Sequence, residues 1–136
     1  MNVQEKLSLF VKDYLNPALL EKSLPAFNII VQGFSDPLAS AIEYPRANVV
    51  ETGRSFSIGD FETSHTLLIG LAIHTEDSDL LKSWMVDYTE TIEKVFRGNP
   101  HLGGWCLLSE INIETDARSG IGLLAITLKM EVDACE

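Results

Sequence analysis

Residues 65–96 read HTLLIGLAIHTEDSDLLKSWMVDYTETIEKVF, and this stretch decides the fold class. From Thr66 to His74, the residues Leu67, Ile69, Leu71 and Ile73 alternate with Thr66, Leu68, Gly70 and Ala72. A period of two is the repeat of a strand. Both faces are largely apolar, which predicts a central strand covered on both sides. Glu76, Asp77, Ser78 and Asp79 come next. Carboxylates and short polar side chains suit a helix start, where backbone N–H groups are unpaired and the dipole is positive. Leu81, Trp84, Met85, Tyr88, Ile92, Val95 and Phe96 then fall on one helical face. Gly98 and Pro100 end that helix. At ~1.5–3 kcal/mol for each large side chain buried, this face is the expected main cover of the core.

Downstream, Gly103-Gly104 leads into an expected strand from Trp105 to Thr115, and Asp116-Ala117-Arg118-Ser119-Gly120 reads as a turn. In the last strand, Ile121 to Asp133, Leu124, Ile126, Leu128, Met130 and Val132 point one way. Ala125, Thr127, Lys129, Glu131 and Asp133 point the other way, so one face is core and one is solvated. The short connection makes these two strands an antiparallel hairpin.

Upstream, residues 54–64 read RSFSIGDFETS, a polar segment carrying Phe56, Ile58 and Phe61. It reads as a long hairpin arm or an ordered loop, ahead of which Ala47 to Thr52 forms a strand ended by Gly53. Residues 38–44 suggest a short helical turn after a loop through Ser35-Asp36-Pro37, and Phe27 to Val31 is the first strand. Leu7, Phe10, Val11 and Tyr14 give the opening helix its apolar face. Asn16-Pro17 is expected to interrupt that helix, with Asn16 capping a further turn, and Leu24-Pro25 closes the region. The element order is α-β-β-β-α-β-β. It predicts a single α+β domain over residues 1–136, a mostly antiparallel sheet covered by helices on one face.

Composition narrows the function. The chain is 46% apolar, too rich in hydrophobes for a disordered acidic chain. No apolar run approaches the ~20 residues that span a bilayer. The start, MNVQEKLSLF, lacks the charged and apolar regions of a signal peptide, so a cytoplasmic protein is expected. The net charge is −10, and the lysines and arginines are scattered, which disfavours specific binding to DNA, RNA or anionic lipid. Cys106 and Cys135 have no paired spacing and read as reduced thiols. Cys106 reads as a small buried hydrophobe in a strand, and Cys135 as a mobile residue near the end.

The residues carry no catalytic or metal-site pattern. His65 and His74 are nine apart on one expected strand, so they face opposite ways and cannot share a metal there. With His101 in a loop, each reads as a surface or capping histidine. Glu76, Asp77 and Asp79 could be a metal or acid–base cluster, but the helix start outweighs that reading and no EF-hand loop follows. Ser64-His65 is not a nucleophile pair, because strand neighbours point to opposite sides. Gly98, Gly103 and Gly104 precede a strand and make no phosphate loop. The segment 53–65 remains, longer than a minimal domain needs, and loops of that length are usually functional or disordered. A packed loop and an arm docking on a neighbouring subunit are about equally favoured.

The ordered pattern resembles the small tail-terminator, tail-completion and neck proteins of long-tailed phages and prophages. The likeness runs over roughly residues 20–134. It rests on FNIIV at 27–31, YPRANVV at 44–50, the variable polar arm, HTLLIGLAIHT at 65–75, the long helix running to NPHLGG at 99–104, and the closing LLAITLKMEVD. The resemblance implies a virion structural protein without catalytic residues or cofactor. It implies a homo-oligomeric ring, a hexamer, that caps the tail tube and joins tail to head. The implied partners are copies of itself, the tail-tube protein and the head–tail connector, with DNA passing through unread. The implied location is the host cytoplasm during assembly, then the virion tail or neck. On this reading the arm carries the subunit or tube contact, through Arg54, Phe56, Ile58, Asp60, Phe61 and Glu62. A head–tail adaptor of the same particle, or a small-molecule binding domain or enzyme, are the alternatives.

Overall fold

A computed structural model describes residues 1–33 and 43–133. The loop expected through Ser35-Asp36-Pro37, most of the helical turn expected at 38–44, and Cys135 lie outside them. Helix α1 (Val3–Phe10) continues through a π-helical turn at Val11–Leu15 into α2 (Asn16–Glu21). Strands β1 (Ile29–Gln32), β2 (Arg46–Ser55) and β3 (Glu62–His74) follow, then helix α3 (Ser78–Gly98) and the hairpin of β4 (Leu107–Arg118) and β5 (Ile121–Asp133). The α+β class and the order of elements match the sequence reading.

The strands form one sheet in the order β1-β2-β3-β5-β4. It is mixed rather than mostly antiparallel, because β1 runs parallel to β2, with Ile30 beside Ala47. Residues 33–45 separate β1 from β2, and a parallel return needs a connection of about a dozen residues or more. The remaining pairings are antiparallel, and β3 and β5 stay in register from Glu62↔Asp133 to His74↔Ile121. Ser119 and Gly120, both at positive φ, make the tight β4–β5 turn. The strand β4 therefore keeps Asp116 and Arg118, and Cys106 sits just before it.

The helices lie together on one face. Their side chains Leu7, Phe10, Leu15 and Leu19, with Tyr88, Ile92 and Phe96 of α3, form one core with Ala47, Val49, Leu67, Ile69, Leu71 and the even-numbered residues of β5. Asp77 starts α3, its carboxylate accepting from the N–H groups of Asp79 and Leu80 at 3.1 Å. The acidic run at 76–79 therefore serves a helix start, as expected. The buried face of α3 also holds Thr91, which the apolar pattern missed. The helix approaches β5 closely at Gly122, where an added Cβ would meet Met85 Sδ at 2.6 Å.

Among the described residues α1, α2 and α3 all lie on one face of the sheet, and on the other face of β3 Ala72 is buried while Leu68 and Gly70 are half-buried. One expectation needs correction: the N-terminal helix is not interrupted at Asn16-Pro17. Pro17 has no N–H and its ring would press on a carbonyl of the preceding turn, and the wider π-turn accommodates both. The Asn16 N–H donates to the Val11 carbonyl, five residues back. Asn16 is no cap: it is buried and its side chain binds the backbone of Phe27. The wide turn brings Leu15 into the core and leaves Tyr14 half-exposed, stacked on Phe10.

Candidate interaction surface at the β2–β3 tip

The structure divides the expected arm at 53–65 into strand and tip. Residues 53–55 and 62–65 belong to β2 and β3, paired from Gly53↔Thr66 to Ser55↔Ser64. The strand β5 flanks β3 along all of that length, so these residues are sheet and not a free arm. Residues 56–61 alone form the connection. A turn closes it, with the Asp60 N–H donating to the Ser57 carbonyl at 3.0 Å and Gly59 at a φ of 97°.

The tip collects exposed hydrophobes. Phe56 is 70% exposed, Ile58 98% and Phe61 78%. A single exposed apolar side chain is ordinary, but three large ones within six residues are a concentration that makes this tip a candidate contact surface. Asp60 and Glu62 bracket Phe61, and Glu62 begins β3 opposite Asp133. Arg54 sits lower, on β2, across from His65.

The root of the hairpin holds a cluster that sequence reasoning missed. His65 is 5% exposed, neither surface nor capping. Its Nδ1 lies 2.5 Å from Glu51 Oε2, and Arg54 Nη2 lies 2.5 Å from Glu51 Oε1. One carboxylate thus ties two residues of β2 to β3 beside the bulge between Glu51 and Gly53. Burial by itself would raise the Glu51 carboxyl. The hydrogen bonds from His65 and Arg54, and the charges behind them, outweigh it and hold the pKa below the ordinary 4.5. A depressed folded pKa gives stability that is present above the unfolded value and is lost as pH falls through the folded one. Glu51→Gln is therefore expected to cost ~1.5–3 kcal/mol at neutral pH, the worth of a hydrogen bond to a charged group. The variant should also lose stability less steeply than wild type below pH 4.5, as thermal melts across that range would read. Equal acid sensitivity in the two proteins would overturn the assignment.

The other candidates are occupied structurally. His74 is exposed and stacks on Tyr44, with ring centroids 5.7 Å apart, on the strand face opposite to His65. The Nδ1 atom of His101 lies 2.9 Å from the Cys106 carbonyl oxygen, in the loop after α3. Cys106 is a free, buried thiol whose pKa burial pushes up to about 12, against an opposing pull from Lys6. A thiol so protonated is a poor nucleophile. Among the described residues, no group of three or more His, Cys, Asp or Glu is placed to hold a metal. No helix among them is long and apolar enough to cross a membrane. Compared with known proteins, the chain matches no family model and no curated sequence.

Proposed function

We propose that this chain is a structural subunit that assembles into a ring, in the role of a tail terminator or tail-completion protein that caps a tail tube and joins it to the head. The observation that carries the reading is the apolar tip: Phe56, Ile58 and Phe61 stand in water at the end of a hairpin whose root is tied to the sheet. Burying three such side chains against a partner is worth ~5–9 kcal/mol before the costs of association, at ~1.5–3 kcal/mol each. The net charge of −10 supports the same role, since an acidic lumen offers passing DNA no attractive site. The order of elements supports it through its resemblance to neck and tail-completion proteins.

Light scattering coupled to size-exclusion chromatography tests the proposal. The wild type is expected to run as a closed oligomer, a hexamer on the family resemblance. Phe61→Asp and the double change Phe56→Ser with Ile58→Ser should both abolish that oligomer and the joining of tails to heads, while leaving the circular dichroism spectrum intact. Assembly and joining untouched by both changes would remove the tip from the interface. Co-elution with tail-tube protein rather than connector protein separates a terminator from a head–tail adaptor.

A further inference from the structure

The sheet face left bare by the helices carries its own apolar hollow, of about 350 Å³. Val50, Leu68, Gly70, Ala72, Leu123 and Ala125 line it, contributed by β2, β3 and β5. Gly70 stands mid-strand, where glycine is unfavourable by roughly 0.5–1 kcal/mol. Among the described residues nothing requires it, because a Cβ added there would meet none of their atoms within 4 Å. The missing side chain keeps the floor of the hollow low on its outer side, which suits close approach by something from outside.

We propose that this hollow receives the β2–β3 tip of a second copy of the chain, Phe61 entering over Gly70. The inference rests on the ring reading and names the acceptor that reading lacks. The chain's own tip cannot reach. Ser64, where pairing with β2 ends, is six residues from Gly70 on one strand, roughly 20 Å at strand rise, and the intervening backbone is paired on both sides.

Charge argues for the tip as occupant and sets its direction. Arg46 lies beside the hollow as the cross-strand neighbour of Ala72. Its guanidinium makes one bond among the described residues, Nε donating to Asn48 Oδ1 at 3.3 Å, so the terminal nitrogens can meet Asp60 or Glu62. Glu114 and Asp116 form the opposite rim and would repel those carboxylates. The acids of the tip therefore turn toward β2. Tip and hollow are different patches, so the junction is head-to-tail, the kind that closes into a ring when the rotation per subunit allows.

Two substitutions on opposite sides of the junction test it. Phe61→Asp spoils the tip, and Gly70→Glu fills the hollow at a position where the fold has room. Both should keep the wild-type circular dichroism spectrum and run as monomers by light scattering, with melting temperatures that no longer depend on protein concentration. Mixed in equal amounts they should form a dimer and nothing larger, because one intact tip and one intact hollow remain per pair. Arg46→Glu should weaken association by tenfold or more, and Asp60→Arg in the same chain should restore it. A Gly70→Glu protein that still forms the wild-type oligomer, or a mixture that stays monomeric, overturns the hollow as acceptor while leaving the ring reading standing. A wild-type dimer broken by both changes keeps the contact and overturns the ring. A wild type that is monomeric at all concentrations overturns both.

Discussion

Phe96→Ala is expected to lower the free energy of unfolding by about 3–5 kcal/mol and the melting temperature by roughly 10–20 °C. Phe96 is 1% exposed, in the last turns of α3. Its ring lies 5.2 Å from that of Phe10, so it joins the N-terminal helix to α3 within the core. Truncation removes the transfer energy of the ring, leaves a cavity that flanking helices fill only in part, and loses an aromatic pair worth ~0.5–1.5 kcal/mol beyond its area. A domain of this kind has ~5–15 kcal/mol in all, so the loss is a large share. One turn away, Glu93 and Arg97 form a 2.9 Å ion pair with both side chains exposed. Glu93→Ala should cost under ~1 kcal/mol, as surface pairs do. Denaturant titration of the two variants checks the contrast. If Phe96→Ala cost no more than Glu93→Ala, the α1–α3 contact would not be a core contact.

The elements that carry Phe96 and its neighbours were legible because their signal is local. Leu67 to Ile73 alternate, and Leu81 to Phe96 recur at the helical period, without help from distant residues. The position of β1 was not legible in the same way, since whether IIVQ runs parallel or antiparallel to β2 depends on the path of the connection. Its length was the available clue, being far too long for a hairpin. The polar run at 62–65 hid the start of β3, because the apolar alternation there is carried by its partner β5 alone, through Met130 and Val132. His65 was misread from its residue type, yet it shares parity with Leu67 and Ile69, and that parity puts it on the buried face. Phe56, Ile58 and Phe61 stood out as hydrophobes in a polar run and are exposed as an interaction surface needs. The outer face of Leu68, Gly70 and Ala72 was legible as apolar, and no helix among the described residues lies over it. A sequence gives the character of a face, while what covers it is set by where helices pack.

Asn16→Leu is expected to cost about 2–5 kcal/mol, although it replaces a polar residue by an apolar one in an apolar surrounding. The Asn16 amide donates from Nδ2 to the Phe27 carbonyl at 2.9 Å and accepts from the Phe27 N–H at Oδ1 at 2.8 Å. That pair of bonds replaces a strand partner at the point where the chain leaves the helices for β1, and Phe27 is fully buried. Leucine leaves a donor and an acceptor without partners, each costing about 1–3 kcal/mol when buried. The same bonds explain how a residue before proline is held in the helical region, which the proline ring disfavours. Asn16→Asp sharpens the test. A carboxylate can accept from the Phe27 N–H but faces its carbonyl oxygen with no proton to donate, and burial without a cation raises its pKa. A raised carboxyl pKa reverses the usual sign: the variant binds a proton more tightly folded than unfolded, so it regains stability as pH falls through the raised value. Protonated, the side chain can again donate to Phe27. Melts of wild type, Asn16→Leu and Asn16→Asp between about pH 4 and 8 should show the aspartate variant converging on wild type at the acid end and the leucine variant offset throughout. Parallel curves for all three would mean that the Asn16–Phe27 bonds do not hold the chain there.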